Sequence, residues 1–136
     1  MKSKLPLIGG LLLAASFVFF GIGKVTAQEE VVQMFTGWGF PLWFVYLTGV
    51  MEISGGLLSA IPRTRFFGAV LLVLVMLGAI GSHVKNADFS GMFPAAFVFL
   101  VISALVAYAS RPARIIPEKG YSSRPPEPSP GQRARP

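Results

Sequence analysis

The chain has 136 residues, of which 53% are hydrophobic and only 13% charged, and this composition favours a membrane protein over a soluble domain. Its net charge of +6 is unevenly spread and does not form the basic, aromatic-interleaved patch of a nucleic-acid binder. The whole chain lacks cysteine, which excludes disulfides, thiol relays, iron–sulfur ligation and c-type haem attachment by this protein itself.

Four apolar runs predict an all-α fold, a polytopic membrane protein built as a four-helix bundle. They cover residues 5–23, 42–61, 66–82 and 93–109, and each is close to the ~20 residues that cross a hydrocarbon core. Prolines stand in the first turns of these runs or just after their ends, where a missing N–H does little harm. We therefore predict one membrane domain over residues 1–110.

The first run also has features of a cleaved signal peptide, since lysines precede it and the small residues "VTA" stand before Gln28. Its apolar stretch over residues 5–23 is longer than the usual core of about 7–15 residues in such peptides. Lys24 also interrupts the approach to the cleavage site. We expect the segment to remain as a transmembrane helix.

Basic residues predict the orientation of the bundle. Ten of the 12 lysines and arginines precede the first run, join the second to the third, or follow the fourth. The positive-inside rule then places both termini in the cytoplasm. Residues 111–136 hold seven of the 11 prolines and little to bury, which predicts a disordered Pro/Arg-rich cytoplasmic tail.

Glu52 lies about halfway along the second run, where a charged residue costs about 2.5–3.5 kcal/mol on insertion scales. Steps of three and four place it on a stripe of small or polar residues that comprises Thr48, Gly49, Gly55, Gly56 and Ser59. In one interpretation the glycines permit tight packing and Glu52 locks the bundle. In the other, the stripe is a groove that leaves room for a ligand or a proton path.

Three further residues are candidates for a site with Glu52. Lys24 ends the first run and either extends inward to Glu52, directly or through a water, or extends to the membrane interface. Arg65 and His83 lie on one face of the third run, roughly 27 Å apart along a helix. Arg65 is interpreted as a topology anchor or a site for a headgroup or acidic partner, and His83 as an interfacial hydrogen-bonding group or a proton-exchanging group.

Metal and haem sites are not expected. His83 is the single histidine, which rules out a bis-histidine haem site, and no histidine and carboxylate cluster has metal-ligand spacing. The chain also has no self-contained catalytic motif, so whether it is an enzyme stays open.

Several segments resemble the DoxX and DoxX-like family of small four-helix membrane proteins, namely "FFGIGK", "FPLWFVYLTGVMEISGGLL" and "TRFFGAVLLVLVMLGAIGSH". The most specific part is the Gly49-x-x-Glu52-x-x-Gly55-Gly56 block followed by Arg65. The resemblance implies a compact bundle in a bacterial cytoplasmic membrane and carries over Lys24, Glu52, Arg65 and His83. Founding members look like small subunits of quinone-linked sulfur-oxidation systems, and others are associated with oxidative-stress complexes.

Three functions remain open on this basis. The first is an accessory subunit of a quinone-linked or oxidative-stress redox system, with quinone as the cofactor and redox enzymes as partner subunits. The second is a non-catalytic membrane scaffold or assembly partner. The third is a small-molecule or proton transporter, which would require a homo-oligomer because four helices make a narrow bundle.

Overall fold

The computed structural model describes residues 4–112, and that part of the chain folds into five α-helices. These are α1 (Leu5–Val25), α2 (Glu29–Gly37), α3 (Leu42–Ala60), α4 (Arg65–Lys85) and α5 (Met92–Ser110). Helices α1, α3, α4 and α5 are long and apolar enough to cross a membrane, which confirms the predicted all-α architecture. Their ends fall within three residues of the predicted spans. The predicted tail lies, from residue 113 onward, outside the described residues.

The sequence prediction has no helix at Glu29–Gly37, where the structure forms α2. This helix has nine residues, too few for a span. Its first turn carries Glu29 and Glu30, which favour a helix N-terminus, and its apolar residues recur at helical spacing at Val31, Phe35 and the adjoining Trp38. α2 packs against α1 and α3.

The four long helices form a ring, in which α1 packs on α3, α3 on α4, α4 on α5 and α5 on α1. The centre is filled by apolar side chains, with Leu13, Phe17 and Leu72 fully buried. Many large apolar side chains point outward instead, such as Phe19 at 73% exposure and Leu105 at 64%. Exposed apolar surface of this extent suits lipid rather than water, so the chain is a multi-pass membrane protein.

The two ends of the bundle contain different groups, and each end takes its name from one of them. The α2 end holds the C-termini of α1 and α4, the N-termini of α3 and α5, and α2 itself. The Arg65 end holds the opposite termini of the same four long helices.

Glycines bring the backbones of neighbouring helices into contact. A Cβ atom added to Gly49 of α3 would lie 2.9 Å from the carbonyl oxygen of Gly21 in α1. One added to Gly68 of α4 would lie 2.6 Å from the backbone nitrogen of Ser59 and 2.7 Å from the carbonyl oxygen of Gly55 in α3. Residues without side chains are required at these contacts, as in other close membrane helix pairs.

We predict that Gly68→Leu destabilises the bundle, because its new side chain meets backbone atoms of α3 that cannot rotate away. Overpacking of this kind costs about 1–3 kcal/mol or more. The measurement is thermal unfolding in detergent. The matched control is Gly81→Leu on the same helix, since a Cβ there meets none of the described residues within 4 Å. Equal melting temperatures for the two variants would contradict this account of the packing.

Candidate functional site: a cavity beside a buried ion pair

A cavity of about 340 Å³ lies inside the bundle at the α2 end. All five helices contribute to its wall, which is mostly apolar and aromatic. Its apolar part includes Phe17, Phe20, Met34, Phe35, Trp38, Phe44, Met51 and Phe99. Its side chains with polar or charged groups are those of Lys24, Thr48, Glu52, Ser82 and His83. We call this space the ion-pair cavity.

Lys24 and Glu52 form a direct ion pair between α1 and α3. The Lys24 Nζ atom donates to both carboxylate oxygens of Glu52, at 2.8 Å to Oε2 and 3.1 Å to Oε1. The Glu52 side chain is 4% exposed and the Lys24 side chain 12%. The predicted inward pairing is therefore confirmed without a bridging water, and the alternative in which Lys24 extends to the interface is wrong.

Gly49 lies one turn from Glu52 on α3, and its position explains why Lys24 reaches the carboxylate. A Cβ atom on Gly49 would lie 2.8 Å from the Cβ of Lys24 itself and 3.0 Å from Cγ1 of Val25. The last turn of α1 therefore lies directly on the backbone of α3. This close approach places the ammonium group beside the carboxylate.

His83 forms part of the same wall, so the structure brings it to the cavity that holds Lys24 and Glu52. The residue is 4% exposed, and its ring meets the ring of Trp38 edge-on, with 4.7 Å between centroids. The Nδ1 atom lies 2.9 Å from the carbonyl oxygen of Asp88. Because a carbonyl only accepts hydrogen bonds, Nδ1 carries the proton and Nε2 is the acceptor of the neutral ring.

Asp88, which sequence analysis did not select, fixes the position of His83. Its backbone N–H donates to the carbonyl oxygen of His83 at 3.0 Å, in a turn where Ala87 has a positive φ of 52°. Its carboxylate Oδ2 also lies 3.8 Å from His83 Nδ1. Hydrogen bonds from Ser90, first from the hydroxyl and then from the backbone N–H, lower the pKa of Asp88 below its ordinary value. In the sequence, the signal for this contact is the spacing His-x-x-x-x-Asp across the C-terminus of α4.

The small-residue stripe of α3 is mostly closed by packing rather than open as a groove. Gly49 and Gly56 lie against α1, and Gly55 lies against Leu72 and Gly68 of α4. Ser59 is fully buried and donates to the carbonyl oxygen of Gly55 at 2.7 Å. Of the predicted groove, Thr48 alone lines the cavity. The contacts support the tight-packing interpretation for the glycines, and the open space lies on the neighbouring face of α3.

Arg65 lies at the other end of the bundle and does not line the ion-pair cavity. Its Nε donates to the carbonyl oxygen of Ser59 at 3.0 Å and its Nη2 to that of Ala60 at 3.3 Å. These are carbonyls at the C-terminus of α3, which lack partners within the helix. The arginine is 7% exposed, so it caps α3 and does not present a surface to a headgroup or an acidic partner.

Comparison with known proteins gives a family match and two similar relatives. The sequence profile of the DoxX-like family matches residues 8–106. The protein named "Uncharacterized protein YdgD" from Bacillus subtilis (strain 168) is 33% identical over 103 residues, covering 72% of this chain and 90% of that protein. The protein named "Putative oxidoreductase CatD" from the same organism is 30% identical over 104 residues, covering 74% and 78%. No solved structure gives a significant match.

We predict that Lys24→Met lowers the stability of the protein more than the double variant Lys24→Met/Glu52→Gln does. The single change leaves a buried carboxylate without its cation, and breaking such a pair costs about 3–5 kcal/mol. The double change removes both charges. The measurement is a double-mutant cycle by thermal unfolding in detergent, with Lys85→Met as the control for loss of an exposed lysine. Additive effects of the two single changes would show that the pair is not coupled.

Proposed function

The chain belongs to the DoxX-like family, and we propose that it is the quinone-binding accessory subunit of a membrane redox system. The system is quinone-linked or part of an oxidative-stress complex, with a partner enzyme in the same membrane. We also propose that the protein lies in a bacterial cytoplasmic membrane with both termini in the cytoplasm; the positive-inside distribution of lysines and arginines supports this orientation.

The observation that carries the proposal is the ion-pair cavity. Its volume of about 340 Å³ is within the usual range of small-molecule sites, roughly 300–1,000 Å³. Such sites combine apolar walls with a few placed polar groups that orient the ligand. The cavity has this pattern, since aromatic and aliphatic side chains surround one ammonium, one carboxylate and one imidazole.

The donor set suits a planar ring with carbonyl oxygens. An ammonium group has three N–H donors, and two of those of Lys24 are directed at Glu52, which leaves one for a ligand oxygen. Trp38 and Phe44 line the wall, and aromatic side chains of this kind pack favourably against the ring of a ligand. Lys24 would therefore hold a carbonyl oxygen, and the aromatic residues would hold the ring.

A bound quinone supplies reversible chemistry of two electrons and two protons. The side chains of this protein that can hold or move a proton beside it are the carboxylate of Glu52 and the Nε2 atom of His83. Lys24 keeps the carboxylate in place through the two hydrogen bonds. Because the chain has no cysteine, it has no thiol that could carry electrons, and the electrons would come from the partner enzyme. The word "oxidoreductase" in the name of the CatD relative supports this assignment.

We predict that a quinone quenches the fluorescence of Trp38, which lines the cavity, and that Glu52→Gln weakens this binding. The protein has two tryptophans, so Trp43→Phe leaves Trp38 as a single reporter. Replacing Glu52 alters the hydrogen bonds that position the Lys24 ammonium, and loss of a hydrogen bond to a charged group, about 1.5–3 kcal/mol, corresponds to at least a tenfold loss of affinity. The measurement is a quenching titration with decylubiquinone in lipid nanodiscs.

Two controls separate site binding from other effects. Trp38→Phe leaves Trp43, which is 64% exposed and reports quinone dissolved in the surrounding lipid. Glu30→Gln removes an exposed carboxylate from α2 and should leave binding unchanged. Equal quenching of the two tryptophans, or no effect of Glu52→Gln in a folded protein, would overturn the proposal. Glu52 would then be a structural lock in a scaffold protein.

A further inference from the structure

The contact between α3 and α4 changes along its length. On α3, Gly55 contacts Leu72 of α4, and steps of three and four from Gly55 place Met51, Thr48 and Phe44 on the same helix face. On α4, steps of seven from Gly68, which touches α3, reach Val75 and Ser82 on the same face. These two rows face each other from the Arg65 end to the α2 end.

At the Arg65 end the two rows touch. A Cβ atom on Gly55 would lie 2.7 Å from Cδ2 of Leu72, and one on Gly68 would lie 2.7 Å from the carbonyl oxygen of Gly55. Toward the α2 end, residues of both rows line the ion-pair cavity, namely Phe44, Thr48, Met51, Val75 and Ser82. The cavity therefore lies between α3 and α4 on the α2 side of these glycine contacts.

The cavity has an outer edge on the surface of the bundle. Leu74 and Gly78 are one turn apart on α4, and both line the cavity. Leu74 is nevertheless 59% exposed, and a Cβ atom on Gly78 would meet no atom of the described part of the chain within 4 Å. The cavity thus reaches the face of the bundle between α3 and α4, at the level of apolar side chains that would contact lipid tails.

We propose that the ion-pair cavity opens sideways into the bilayer between α3 and α4, past Leu74 and Gly78, and that its ligand is an amphiphile with a hydrocarbon chain. The polar head lies at Lys24 and Glu52, and the chain leaves through the opening into lipid. This inference rests on the proposed function and goes further, because it identifies the class of quinone and its route of entry.

The positions of the polar and apolar groups in the cavity favour a ligand with a hydrocarbon chain. The ammonium and carboxylate lie where α1 meets α3, whereas the opening is lined by the apolar Met51, Leu74 and Gly78. A ligand whose head lies at the ion pair therefore directs its chain toward the apolar opening. Leaving that chain in the bilayer keeps it out of water, which is the favourable arrangement for apolar groups.

The test is to narrow the opening with Gly78→Leu. The position has room for the new side chain, so the fold should be preserved. Gly81→Leu is the matched control, because Gly81 is exposed on the same helix and does not line the cavity, and a Cβ atom added there would meet no atom of residues 4–112 within 4 Å. Binding is measured by Trp38 quenching in the Trp43→Phe background, with decylubiquinone and with the same ring lacking the decyl chain. We expect Gly78→Leu to weaken decylubiquinone binding about tenfold or more relative to Gly81→Leu, and to change binding of the chainless ring much less.

The outcomes distinguish the two proposals. If wild type binds decylubiquinone but Gly78→Leu has no effect, the sideways opening is wrong and the proposed quinone site stands. If Gly78→Leu and Gly81→Leu weaken the binding of both ligands equally, the effect does not arise at the opening, and the inference is overturned. If wild type binds neither quinone at Trp38, the proposed function fails and the inference fails with it.

Discussion

The ion pair between Lys24 and Glu52 determines how the first two spans meet and where the cavity forms. A charged carboxylate this deep in an apolar bundle is costly without a cation, and the last turn of α1 supplies one at 2.8 Å. The lysine reaches the glutamate because Gly21 and Gly49 let the two backbones touch. The charges therefore hold α1 on α3 while facing an open space, so one contact serves both the packing of the bundle and the chemistry of the site.

The bundle divides into a packed half and an open half. At the Arg65 end, glycine contacts close the gap between α3 and α4, and the guanidinium of Arg65 satisfies the last carbonyls of α3. At the α2 end, the ion-pair cavity lies between α3 and α4, and the short helix α2 packs over α1 and α3 with Phe35 buried. The packed half holds the helices together, and the open half provides room for a ligand.

Much of this architecture could be predicted from short segments of the sequence, each considered by itself. The four spans follow from uninterrupted apolar runs, and the inward position of Glu52 follows from the small residues on its helix face. The sequence could not show whether that face is filled or empty, because α1 and α4 supply the atoms that fill it. The same limit applies to Arg65, which caps α3, and to Asp88, which holds His83 through its backbone. α2 was missed because a search for spans passes over nine-residue helices.

The most direct test of the central claim, that the cavity beside the ion pair binds a lipid-soluble quinone, is photo-crosslinking with an azidoquinone in nanodiscs, mapped by mass spectrometry. The account predicts label on the cavity walls, in α2 near Trp38 and in α4 near Gly78, and predicts that excess decylubiquinone suppresses it. Label spread over outward-facing side chains such as Phe19 and Leu105, unaffected by competition, would contradict the account.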